Sequence, residues 1–107
     1  MDYTDVLRRL AINDPRLTED TERASQPTEL DQKTRALVRL AALVAVGGAS
    51  PSYGALTDAA VGAGASAGEI VDVLLGVIPV VGLPCVVAAA PNVAMALGYD
   101  TDEAIQL

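Results

Sequence analysis

The sequence predicts an all-α, single-domain protein whose helices pack between the subunits of an oligomer. Three observations carry that expectation. Apolar residues recur at helical spacing along most of the chain, and the breaks fall at Gly and Pro. The apolar half of the composition is Ala, Val and Leu, with no Phe or Trp and only three Tyr. Small side chains suit close helix–helix approach, whereas a β-sandwich core draws on aromatics. Residues 36–46 and 73–99 hold a single charge between them, Arg39. A surface helix keeps a polar face, and a chain of this size buries only about two-thirds of its unfolded surface alone.

The first helix is predicted over Tyr3–Ile12, where Val6, Leu7, Leu10 and Ala11 share a face and Asn13-Asp14-Pro15 stops the run. Residues 16–27 are polar and read as a loop ending in Gln26-Pro27. The second helix is expected from about Glu29 to Val46, with Thr28 as its cap and Gly47-Gly48 as its end. Ser50-Pro51 opens a third helix, Ser50 as cap and Pro51 at the first helical position, running to Ala63 before Gly64. Ser66-Ala67-Gly68-Glu69 has the spacing of a capping box and starts a fourth helix, which Pro79 kinks or ends. Gly82-Leu83-Pro84 restarts a helix to Ala90, and Pro91 starts another to Leu97 before Gly98. The domain plan is therefore a polar helix and loop over 1–28, a helical core over 29–99 and a tail over 100–107.

Charge and composition exclude several functions. A net charge of −7 opposes nucleic-acid binding, which needs clustered Lys and Arg against phosphates. It opposes docking to an anionic membrane surface as well. The uncharged run 73–99 is long enough to raise a membrane span, but three Pro and three Gly interrupt it. Asp72 and Asp100 flank it without Lys, Arg or an aromatic belt, so burial between subunits is the better reading. MDYTDVLRRL does not read as a signal peptide, and one cysteine suits a reducing cytoplasm. With no His and one Cys, a histidine base, a Cys–His pair and a thiolate zinc site are all excluded within the chain. No metal site and no cofactor are expected. The glycines at 47, 48, 62 and 64 follow no strand and form no phosphate loop.

Three segments resemble one known family. LDQKTRALVRLAALVAVGG (30–48) is similar to a helix of the pattern L-D-x-K-T-R-E-L-x-x-L-A with a closing glycine. AAVGAGASAGEIVDVLL (59–75) is similar to an A-x-x-A-G-A-T-x-E-E-I turn, and VIPVVGLPCVVAAAPNVAMAL (77–97) to the helix that follows it. The family is that of carboxymuconolactone decarboxylase, which includes the alkylhydroperoxidase D-like proteins. The resemblance covers about two-thirds of the chain and rests on the order and spacing of the segments. It implies an all-α fold assembled into trimers or hexamers, with peroxidase or decarboxylase activity. In the alkylhydroperoxidase D-like branch it also implies a C-x-x-C-x-x-x-H site with an acidic residue on the preceding helix. Register from Gly64-Ala65-Ser66 puts the two cysteines at Ala49 and Ser52, the histidine at Leu56 and the acid at Ala36 or Leu37. The sequence departs from the pattern at every one of these positions, and a dithiol relay needs two thiols and a base.

The remaining candidates for a site are Arg39, Ser52, Tyr53, Leu56 and Asp58, a pocket between the second and third helices. Arg39 has two readings: an ion pair with Asp58 or Asp72, or a clamp for a small anionic ligand. Cys85 follows Pro84 at a helix start, where a thiol can be activated, but its apolar neighbours favour a small core residue. The functional expectation is a homo-oligomeric family member with the family's activity lost or remodelled, binding a small anionic molecule. The alternative is a non-catalytic oligomeric structural or binding protein on the same fold.

Overall fold

A computed structural model describes residues 3–16 and 29–99. Among them are five helices and no strand: α1 (Tyr3–Ala11), α2 (Gln32–Val46), α3 (Ser50–Gly62), α4 (Ala67–Val81) and α5 (Leu83–Ala96). The expected loop over 16–27, apart from Arg16, and the expected tail over 100–107 lie outside the described residues. So does Thr28. The cap of α2 is instead Asp31, whose carboxylate accepts from the Thr34 N–H at 2.7 Å. An ionised carboxylate next to the positive end of a helix is a good cap, and the helix accordingly starts later than Glu29.

The cap of α3 is also displaced, by one residue. Ala49 holds the extended cap conformation without a side-chain bond, so Ser50 is already helical and Pro51 sits one position further in. The capping box of α4 forms as the spacing requires. Glu69 N–H donates to Ser66 Oγ at 3.0 Å, and Ser66 N–H donates back to Glu69 Oε1 at 2.9 Å.

Pro79 was expected to kink or end its helix and Pro91 to start a new one, and neither ends a helix. Pro79 lies inside α4, which continues to Val81, and Pro91 lies inside α5, which is one helix rather than two. A proline leaves the carbonyl four residues earlier without a donor. Those carbonyls belong to Leu75 and Val87, and both residues and both prolines are exposed within the subunit.

Helices α2 to α5 form the core. Each packs on two neighbours in the cyclic order α2, α3, α5, α4. The largest fully buried side chains are Leu40 and Val44 of α2, Thr57 of α3, Ile70 of α4 and Val93 of α5. The break between α4 and α5 is Gly82, whose φ of 90° is open to glycine and strained for other residues. The first helix stands apart. It buries no residue and packs against none of the other four, although its Tyr3 hydroxyl donates to the Glu29 carboxylate.

The radius of gyration is 16.0 Å, with extents of 54 × 26 × 21 Å. A compact chain of this length would be about 13 Å. Large apolar residues are uncovered on every core helix: Val38 and Val46 on α2, Val61 on α3, Val71, Leu75 and Val80 on α4, and Leu83, Val87 and Met95 on α5. No helix among the described residues is long and apolar enough to cross a membrane.

Candidate functional site

The five residues singled out as a pocket do not converge. Helix α3 turns Tyr53, Thr57 and Ala60 toward the core, at spacings of four and three residues. Tyr53 is only 4% exposed, and Leu56 is half-buried against the core. Ser52 and Asp58 fall on the outer side and are exposed. Arg39 was expected in a covered stretch of α2 and is exposed. The helix buries Ala36, Leu40 and Val44, and Arg39 sits about 100° round from Leu40. Asp58 and Asp72 are exposed too, and among the described residues neither is ion-paired to Arg39.

The positions implied by the family pattern fall at the start of α3. Ala49 is its cap, Ser52 lies in its first turn with its N–H donating to the Ala49 carbonyl at 3.0 Å, and Leu56 is one turn on. Ala36 on the preceding helix is buried. A methyl group, a hydroxyl and an isobutyl group occupy these positions.

A cavity of about 290 Å³ opens where the C-terminal end of α2 meets the starts of α3 and α5. Its wall is residues 44–47 from α2, Tyr53 from α3, and Pro84, Cys85 and Ala88 from α5. Of the five candidates, Tyr53 alone belongs to it. Cys85 was read as a core residue. It is half-buried and lines the cavity instead. Nothing in the local sequence marks this, because the wall is assembled from residues up to about forty positions apart.

The acids perturbed in the core serve helix starts, not chemistry. The backbone N–H of Ser66 holds the Glu69 carboxyl below its usual range, with the Lys33 ammonium adding to the effect. Lys33 reaches Glu69 at 3.0 Å and ties the start of α2 to the start of α4. The Thr34 backbone N–H lowers the Asp31 carboxyl in the same way. No group of three metal-binding side chains occurs among the described residues. One polar oddity remains in the core: Thr57 is fully buried and its Oγ1 has no hydrogen-bond partner.

Among the described residues the protein is all helical, with a largely apolar, open pocket at one end of its core. Comparison with known protein families matches residues 16–94 to the carboxymuconolactone decarboxylase family, and the chain belongs to that family. Neither a curated protein nor a solved structure matches it.

Proposed function

We propose that this chain is a homo-oligomeric, non-catalytic member of its family, in which the dithiol-and-histidine chemistry has no counterpart. The observation that carries the reading is the start of α3, where Ala49, Ser52 and Leu56 stand at the positions implied for two thiols and a base. A serine hydroxyl without a base is a poor nucleophile at neutral pH, and no partner thiol exists for a disulfide. Cys85 sits on a different helix and has no second cysteine to resolve an oxidised intermediate.

Assembly into a trimer or hexamer is supported by the outer faces of α4 and α5. Leu75 is 58% exposed, Val80 84%, Val87 60% and Met95 72%. These helices pack against one another, and each keeps large apolar side chains uncovered. Monomeric soluble proteins rarely leave large apolar patches in water. A second reading, an enzyme with a remodelled pocket, is favoured by the cavity beside Tyr53.

Two measurements test the proposal. Light scattering at micromolar concentration, without detergent, is expected to give a trimer or hexamer mass. Leu75→Asp is expected to reduce that mass while helicity is kept, because Leu75 is not part of the subunit's own core. A hydroperoxide assay supplied with a dithiol reductant is expected to show no turnover above buffer. A monomeric wild type, or steady hydroperoxide consumption abolished by Cys85→Ser, overturns the reading.

A further inference from the structure

The cavity at the end of α2 has a chemistry of its own. It holds about 290 Å³, at the small end of the range for ligand pockets. No charged side chain contributes to its wall. Its lining residues carry three kinds of polar group. The Tyr53 side chain is nine-tenths buried and, among the described residues, its hydroxyl has no protein partner. The last carbonyls of α2, those of Val44, Ala45 and Val46, receive no backbone N–H, since Gly47 bonds back to Leu43 instead. The Cys85 thiol is the third.

This set discriminates between ligands. A phenolic hydroxyl in a largely apolar wall binds a single polar group and leaves the rest of the ligand to be covered by Val, Pro and Ala. The open carbonyls sit at the negative end of the α2 dipole and accept hydrogen bonds. The starts of α3 and α5 bring two positive helix ends to the same space, so the helix ends do not exclude an anion; no side-chain cation lines the wall either, because Arg39 is exposed on α2 away from it. A carboxylate entering here loses its hydration without gaining a cation. A neutral hydroxyl can both donate to a carbonyl and accept from Tyr53.

We propose that this cavity is a binding site for a compact, uncharged, mostly apolar molecule bearing one hydroxyl, which Tyr53 and the carbonyl end of α2 hold. It does not depend on the family chemistry, nor on the trimer or hexamer.

The test uses the full chain in its native assembly with 1-naphthol as probe and 1-naphthoate as the anionic match. Cys85 is the only cysteine, so N-ethylmaleimide labelling followed by mass spectrometry reports directly on the cavity wall. The maleimide adds across its double bond, with sulfur bonded to one carbon and the thiol proton to the other. Saturable binding of 1-naphthol by calorimetry is expected, with slowed labelling of Cys85. Affinity for 1-naphthoate is expected to be about tenfold weaker or less. Tyr53→Phe keeps the buried ring and is expected to weaken 1-naphthol about fivefold, the worth of one hydrogen bond. Ala88→Leu, which pushes bulk into the space from an exposed position, is expected to abolish binding and keep the circular-dichroism spectrum. If Tyr53→Phe does not fold, Ala88→Leu still decides the location. Failure of 1-naphthol to saturate overturns the proposal, as does unchanged binding in Ala88→Leu or in folded Tyr53→Phe. Equal or tighter binding of 1-naphthoate overturns it too. So does a Cys85 that neither labels nor responds to 1-naphthol, the result expected if a second copy fills the cavity.

Discussion

Replacing Thr57 with Val should stabilise the protein. The residue is 0% exposed and its Oγ1 has no partner, not even the Tyr53 carbonyl one turn earlier. A buried hydroxyl without a hydrogen bond costs about 1–3 kcal/mol. Valine keeps the β-branch and nearly the same shape, so the change removes that cost with little repacking. Taking the lower half of the range, the expected gain is about 1–2 kcal/mol. At about 2.1 cal/mol/K per residue, unfolding 107 residues carries an entropy near 0.22 kcal/mol/K. The melting temperature should then rise by roughly 4–9 °C. Thr57→Ser supplies the opposite arm. It keeps the orphan hydroxyl and deletes a packed methyl, which should cost about 1 kcal/mol. Urea unfolding followed by circular dichroism would measure both, at one fixed chain concentration because assembly couples to stability. A Val variant less stable than wild type by more than about 0.5 kcal/mol, or a Ser variant as stable as wild type, would refute the reasoning. The first result would mean that the hydroxyl is bonded in the assembled protein, and the second that the Thr57 methyl is not closely packed.

Four further outcomes follow from the same structure. Ser66→Ala removes the Oγ that accepts from the Glu69 N–H, keeps the backbone bond from Ser66 N–H to Glu69, and should cost about 1 kcal/mol in the same urea assay. Glu69 and Asp31 have carboxyl groups held below their ordinary values of 4.5 and 3.8, chiefly by backbone N–H donors. A depressed folded value means the stabilisation is complete above the unfolded value and lost as pH falls through the folded one. Stability should therefore drop on acidification below about pH 4.5, and Glu69→Gln should flatten part of that drop in a pH series of melts. Leu40→Ala removes a fully buried side chain at the centre of α2 and should cost about 2–5 kcal/mol, read as a shifted urea midpoint. Val80→Asp should lower the assembled mass in light scattering without lowering helicity, since Val80 is 84% exposed within the subunit.

The all-α class, the number of core helices up to α4 and most of their ends were legible in the sequence. The signals that worked act over three or four residues. Ser66 and Glu69 close a capping box wherever they stand at that spacing, and Gly47 and Gly82 end helices because they reach φ values of 78° and 90°. The family likewise rests on the order of local segments. Local signals were weaker at the start of α2 and at the prolines. Thr28 was read as the cap of α2, but the Asp31 carboxylate caps it by accepting from the Thr34 N–H. Pro79 was read as a kink or end and Pro91 as the start of a new helix, but each lies inside a helix that runs on past it. Tertiary packing alone decided the site. Helix rotation carried Arg39, Ser52 and Asp58 outward and Tyr53 inward, a choice set by which stripe of each helix meets its neighbours. The same packing brought Cys85 across from α5 to share a wall with Tyr53 and the end of α2. A chain read one helix at a time holds no information on that meeting, because a cavity is the space that three helix ends leave between them.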